Sequence, residues 1–294
     1  MIKFFFSLLL TFGLVLPAHA CSLFAVTGND YVEGGGSLAF KNTDWRGASQ
    51  SIHIVKPSPG NKYICLYRGK NNYCVGGINE KGLCVARSQA SSIPKAELKT
   101  YPRWKSLEGL RLAEYLLRYF SSVEECVSSK IYAETEPLNL LVVDSKEAAY
   151  IEIAPDKTFV VRKINAGPIF HTNHYLEDEI IDYNKHYSKS SHIRYNRLAE
   201  LVQFHQGQYT FQEIIAMTKD RAAGRNNSIY RVGNGKPNST KTVGSFAVHI
   251  KPDGDADIFI RYQAKANDTE RDEIIERFQL QEVLARPAGR ISPR

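Results

Sequence analysis

After its first sixteen residues the chain has no second long apolar run, so no permanent membrane span is expected beyond the N-terminal segment. It has no C-x-x-C pair, which argues against a zinc ribbon or a thioredoxin-type site. It has no phosphate loop, dinucleotide fingerprint or haem motif, so no cofactor and no metal are expected. Its positive residues include no run of five or six, and no nucleic-acid motif accompanies them. The net charge of +7 therefore reads as a solvated basic surface, and no nucleic-acid partner is expected. Repeats, low-complexity segments and obvious linkers are also missing. This predicts one domain over residues 21–294, with a charged tail from about 268 that is helical at first and then loose.

What is present begins with a leader. Lys3, an apolar run from Phe4 to Leu16, Pro17 and the pattern Ala18-His19-Ala20 are the three parts of a secretory signal peptide. They predict cleavage after Ala20 and an exported protein, periplasmic or secreted. The hydrophobic fraction of 43% then suits a soluble globular domain large enough to bury a core without help from disulfides.

Five cysteines, an odd number in an exported chain, flag one unpaired thiol. Cys21 stands against the predicted cut and is the natural odd one out, leaving Cys65, Cys74, Cys84 and Cys126 for up to two disulfides. A hairpin across Arg68–Asn72 would bring Cys65 and Cys74 opposite each other; free, buried thiols are the equal alternative.

Alternating apolar residues predict strands at 21–28, 36–41, near 51–56, 62–67, 73–77, 82–88, 138–144, 148–154, 157–163, 168–172, 241–250 and 256–263. Helical spacing marks 107–120, 122–126, 190–205 and 210–220, with capping-box pairs at Ser122/Glu125 and Thr210/Glu213. The order of strands and helices indicates an α+β protein with helices outside the sheets.

An N-terminal cysteine unites a nucleophile and a base. Its α-amine has a reference pKa of ~7.7–8.0 and its thiol ~8.5, so the amine can take the thiol proton near neutral pH. The thiolate can then open an amide through a thioester that water clears. A lipidated anchor and half of a disulfide are the alternative uses of a cysteine after a leader, and Ala18 and His19 fit the lipidation signal poorly.

Cys21-Ser22-Leu23-Phe24 followed by EGGGSLAFKNTDW at 33–45 resembles the start of mature N-terminal-nucleophile (Ntn) hydrolases. The likeness is to the linear-amide C–N group that includes isopenicillin-N acyltransferase, carcinine hydrolase-like proteins and choloylglycine hydrolase. GGINEKGLCVA at 76–86, VVDSKEAAYIEIAP at 142–155, HTNHYLEDE at 171–179, RYNRLAELV at 194–202 and NNSIYRVG at 226–233 continue it in family order.

The resemblance implies a four-layer αββα sandwich of two antiparallel sheets, with Cys21 as nucleophile and base. It implies that Asp44 holds the α-amine and tunes the thiol, and that Lys41 stands where many relatives have arginine. A cation there favours the thiolate, though lysine lacks arginine's planar fork. The backbone N–H of Asn79 and the side-chain amide of Asn173 would form the oxyanion hole, each such donor being worth ~2.7–4 kcal/mol in other enzymes. Arg231 would bind a substrate carboxylate or support Asp44. Asn79 as a turn former before Gly82 is the competing reading. His171 and His174 flank Asn173 without a third ligand at motif spacing, and read as site-lining or structural.

The expected activity is hydrolysis of a linear C–N amide bond in a small-molecule substrate. Acyl transfer to an amine through the same thioester, and a non-catalytic exported binding or envelope protein, stand as alternatives. A homo-oligomer is left open. The basic balance weakly favours acidic or carboxylate-bearing substrates.

Overall fold

Successive residues of the first strand point to opposite sides. Leu23 and Ala25 join one buried cluster, Phe24 and Val26 another. That division organises the molecule. The computed structural model describes residues 20–69, 73–98, 107–236 and 239–292. Of the leader predicted over 1–20, all but Ala20 lies outside them.

Six strands lie in the first half: β1 (Ala20–Thr27), β2 (Ser37–Arg46), β3 (Gln50–Val55), β4 (Tyr63–Arg68), β5 (Tyr73–Asn79) and β6 (Cys84–Gln89). They are followed by helices α1 (Lys95–Leu98), α2 (Leu112–Tyr119) and α3 (Val123–Ser128), then strands β7 (Leu138–Val143), β8 (Ala148–Ile153), β9 (Phe159–Ile164) and β10 (Gly167–His171). Helices α4 (Lys189–Gln203), α5 (Phe211–Met217) and α6 (Gly224–Asn227) precede β11 (Thr240–Ile250), β12 (Ala256–Tyr262) and β13 (Ile274–Gln279). Helix α7 (Leu280–Ala285) and β14 (Gly289–Ile291) close the chain.

Two antiparallel sheets result. One has the order β10-β1-β2-β11-β12-β13, the other β14-β3-β4-β5-β6-β7-β8-β9. Leu23, Ala39, Phe246 and Ile258 of the first meet Ile64, Leu66, Ile78 and Leu141 of the second in a core between the sheets. Outside the eight-stranded sheet, Cys65, Val85, Leu140 and Val142 pack with Leu112, Leu116 and Leu117 of α2 and with Val123 and Cys126 of α3. Outside the six-stranded sheet, Phe24, Phe40, Ala247 and Phe259 pack with Leu198 of α4 and Ile214 of α5. The layers run helix, sheet, sheet, helix, which is the expected αββα architecture.

Local chemistry explains the helix boundaries. Thr210 and Glu213 form the reciprocal capping box that starts α5. Ser122 Oγ accepts from Glu125 N–H at the start of α3. The helix expected from 107 begins only at Leu112, because Glu108 and Gly109 take φ of 51° and 79° and turn the chain between Leu107 and Leu110.

Two expectations are corrected. The segment from 268 is not a loose helical tail. Edge strand β13 pairs with β12, α7 buries Leu280, Val283 and Leu284, and β14 adds an edge to the other sheet beside β3. In β13 exposed Ile275 and Arg277 alternate with buried Glu276 and Phe278, a strand pattern that the charge density of the segment hides. Among the cysteines, Cys65 and Cys74 form a disulfide, with Cα atoms 6.3 Å apart, on the β4–β5 hairpin. Cys84 and Cys126 do not pair: Cys84 lies in the core between the sheets and Cys126 in the helix layer, so the eight-stranded sheet separates them.

Candidate active site

The β1–β2 hairpin sets the first geometry. Cys21 lies opposite Thr43, and Ala20 opposite Asp44. By alternation Cys21 shares the inter-sheet face of Leu23, and Lys41 that of Ala39. The Lys41 ammonium approaches Cys21 Sγ at 3.7 Å and also donates to the Arg87 carbonyl. Burial lowers the Lys41 pKa to about 8, against the opposing pull of the Cys21 thiol.

The Cys21 backbone N–H donates to Asn173 Oδ1 at 2.7 Å. The same oxygen accepts from Arg194 Nη2 at 2.9 Å. Two donors on that oxygen fix which way the amide faces. One N–H of Asn173 Nδ2 reaches the Gln89 carbonyl at 2.8 Å, and its second N–H meets no acceptor among the described residues. Arg194 further donates to the Cys21 carbonyl and, at 3.1 Å, to Ser22 Oγ. Its guanidinium, wholly buried on α4, clamps the main chain of the nucleophile and the side chain of Asn173 together.

Asn173 is itself held. Its N–H donates to Ser191 Oγ at 2.9 Å, and that hydroxyl also meets His174 Nδ1 at 2.8 Å and Thr172 Oγ1 at 2.9 Å. His174 stacks on His192 with ring centroids 3.9 Å apart, and burial pushes its pKa down to about 3. His171 pairs with the buried Glu152 at 2.6 Å, and Glu152 also accepts from the N–H groups of Leu176 and Glu177. The two histidines thus brace the segment that carries Asn173. Among the described residues no three His, Cys, Asp or Glu side chains converge as a metal site.

Asp44 faces the helix layer, as does Asn42, whose amide donates to the Thr218 and Ile229 carbonyls at 2.9 Å. Thr242 donates to Asp44 Oδ1 at 2.7 Å. A bulge in β11 between Thr242 and Gly244 aims that hydroxyl. Asp44 Oδ2 has no hydrogen-bond partner among the described residues and lies 3.8 Å from Arg231 Nη1. Burial raises the Asp44 pKa, with Arg231 and Arg194 opposing. Asp44 therefore stands beside the main chain at the Ala20–Cys21 junction, on the face opposite the thiol. Arg231 supports Asp44 and is not among the residues that line the Cys21 cleft.

Asn79 is a correction. Its N–H donates to the Leu83 carbonyl at 3.0 Å, closing the β5–β6 turn, and is not free to serve an oxyanion. Its side chain ties that turn to the C-terminal end of α2, donating to the Leu117 carbonyl at 2.9 Å and the Phe120 carbonyl at 2.7 Å. The competing turn-former reading is the one the structure shows.

A cleft of about 210 Å³ opens over Cys21, with Lys41, Trp45, Arg68, Tyr73, Arg87 and Gln89 among its walls. Sequence reasoning gave no role to Arg68, Arg87, Gln89 or Arg194. Arg194 opens a segment that carried the family resemblance, which is the one signal that could have pointed to it. The others come from β4 and β6 of the other sheet.

The family model described as acyl-coenzyme A:6-aminopenicillanic acid acyl-transferase matches residues 32–253. The chain belongs to this Ntn family. The match includes Lys41, Asp44, Asn173 and Arg231 and starts beyond Cys21. Two solved structures of variants of a conjugated bile acid hydrolase from Clostridium perfringens share the fold. Their TM-scores are 0.51 and 0.52 at 15% identity, over 92% and 93% of this chain and 97% of each of theirs. An N-acylethanolamine-hydrolyzing acid amidase ortholog from Caenorhabditis elegans gives 0.48 at 12% identity, over 77% of this chain and 92% of its own. Among curated proteins no sequence matches. In this Ntn enzyme the two sheets are the αββα sandwich, and the cleft opens where β1, β2 and β6 come together.

Proposed function

We propose that the protein is an exported cysteine amidase that hydrolyses a linear C–N amide bond through a thioester on Cys21, made N-terminal by removal of residues 1–20. The observation that carries this reading is the setting of Cys21: its Sγ faces the cleft 3.7 Å from Lys41, and its N–H rests on Asn173 Oδ1. A thiol packed for structure alone would need neither a buried ammonium beside it nor an open cleft above it. Export is supported by the leader sequence and by the Cys65–Cys74 disulfide, a bond that persists in oxidising compartments. Among the described residues no helix is long and apolar enough to cross a membrane.

The chemistry follows from the placements. Once the Ala20–Cys21 bond is cut, the new α-amine stays near Asn173 Oδ1, and Asp44, the ladder partner of Ala20, keeps an Oδ2 that accepts no hydrogen bond from the described residues. The amine takes the thiol proton, and the Lys41 charge favours the resulting thiolate. Sulfur adds to the amide carbon, and the second N–H of Asn173 Nδ2 receives the oxyanion. As the C–N bond breaks, the ammonium returns its proton to the leaving nitrogen and leaves a thioester. Water, deprotonated by the same amine, adds to the thioester. The C–S bond then breaks, releasing the acid and restoring the thiol. Arg194 holds Cys21 and Asn173 in register throughout.

Intact-mass and N-terminal sequencing of the purified protein, with labelling by a thiol-directed acylating probe, test the reading. A chain that begins at Cys21 and loses labelling in Cys21→Ala is expected. A chain that begins elsewhere, or carries lipid at Cys21, defeats it. The family match favours a second reading, transfer of the acyl group to an amine. Incubation with an acyl donor and an amine separates the two by the ratio of new amide to free acid.

A further inference from the structure

One wall of the Cys21 cleft gathers cations around a single aromatic ring. The guanidinium carbons of Arg111, Arg87 and Arg68 lie 3.9, 4.5 and 4.9 Å from the Tyr73 ring centroid. Among the described residues one carboxylate answers them. Glu136 Oε1 accepts from Tyr73 Oη at 2.9 Å and Arg87 Nη1 at 2.9 Å, and lies 3.8 Å from Arg111 Nη1. The Arg68 side chain makes no hydrogen bond or ion pair to any described residue, although it is only partly exposed. It lies over Trp45, 3.3 Å from the ring centroid, with Tyr73 also close, while its N–H edge has no acceptor among the described residues.

That arrangement is selective. Aromatic faces orient a guanidinium without using its in-plane donors, which suit a carboxylate in bidentate fashion. Lys41 and Arg87 line the same cleft, and with Glu136 as the acidic wall residue its charge remains positive even when Cys21 is a thiolate. A neutral ligand would desolvate Arg68 and leave its N–H edge without an acceptor, whereas an anion supplies one.

We propose that Arg68 is the specificity anchor of this site, and that the substrate is an amide carrying a carboxylate that docks on the Arg68 edge between Trp45 and Tyr73. This rests on the amidase reading of Cys21 and names its substrate class. Arg68 stays charged at neutral pH: burial lowers its pKa, with the Cys21 thiol opposing, only to about 10.

The test needs no knowledge of the natural substrate. Processed protein is treated with iodoacetate or iodoacetamide, two reagents that differ in a carboxylate against a carboxamide. In each, Sγ attacks the methylene carbon, a C–S bond forms and iodide leaves. Rates at Cys21 are read by peptide mass spectrometry, and the quantity of interest is the iodoacetate-to-iodoacetamide ratio. It is expected to fall roughly tenfold in Arg68→Gln, the worth of one charge-assisted pair, and to recover in part in Arg68→Lys. The same ratio is then taken as kcat/KM for matched amide substrates ending in carboxylate or carboxamide. If iodoacetamide labels Cys21 and Arg68→Gln leaves the ratio unchanged, the anchor is overturned while the nucleophile stands. If neither reagent reaches Cys21, the amidase reading and the anchor fall together.

Discussion

Arg194 Nη2 donates to Asn173 Oδ1 at 2.9 Å, and through that bond a helix-layer arginine sets the orientation of an amide at the nucleophile. Without it, Asn173 could turn its oxygen toward the developing oxyanion. Arg194→Met is expected to lower kcat with KM little changed. It should also cost about 1–3 kcal/mol of stability, because the buried Cys21 carbonyl and Asn173 oxygen lose a donor. Steady-state kinetics beside urea melts measure both. A variant with wild-type kcat would show that the Cys21 N–H alone orients Asn173.

Asn173→Ala removes the one side-chain donor assigned to the oxyanion. A loss of roughly 10²–10³ in kcat is expected, as for a single donor in other enzymes, with the Cys21 labelling rate largely kept. Because Asn79 spends its N–H on Leu83, Asn79→Ala is expected to act on stability instead, through the β5–β6 turn and the end of α2.

The Lys41 pKa of about 8 gives a pH signature. The α-amine must be neutral to act as base, so kcat/KM rises through its pKa. It should fall again as Lys41 loses its proton above about pH 8 and no longer favours the thiolate. Lys41→Arg keeps its charge and should move the alkaline limb upward. The linkage sign is also fixed. Between about 8 and the ordinary 10.5 the unfolded chain binds more protons than the folded one, so stability from Lys41 is gained as pH rises through that window and lost as pH falls through about 8. Lys41→Met should lack this rise in a pH series of melting temperatures.

The Cys65–Cys74 bridge closes a loop of sequence separation 9, and its loss should cost about 2–3 kcal/mol. Cys65→Ser with Cys74→Ser is expected to lower the urea midpoint. Arg68 and Tyr73 sit on the same hairpin, so a rise in KM larger than the change in kcat should accompany it.

By itself the sequence was enough for the strand periodicity and for the helices started by Thr210 and near Ser122, while the resemblance carried by its short segments singled out Lys41 and Asn173, which the structure brings against Cys21. Those features are local: alternation, caps and short segments depend on residues near in the chain. It was not enough for the last segment, where charged residues on an edge strand look like a solvated helix, or for Asn79, whose spent N–H depends on where the turn closes. Cys84 and Cys126 could not be told from a second disulfide, because only the sheet between them keeps them apart. The Arg194 clamp and the Arg68, Arg87 and Arg111 cluster about Tyr73 belong to the tertiary structure entirely. They join residues from distant elements, and a guanidinium's role depends on which acceptors the packing leaves within its reach.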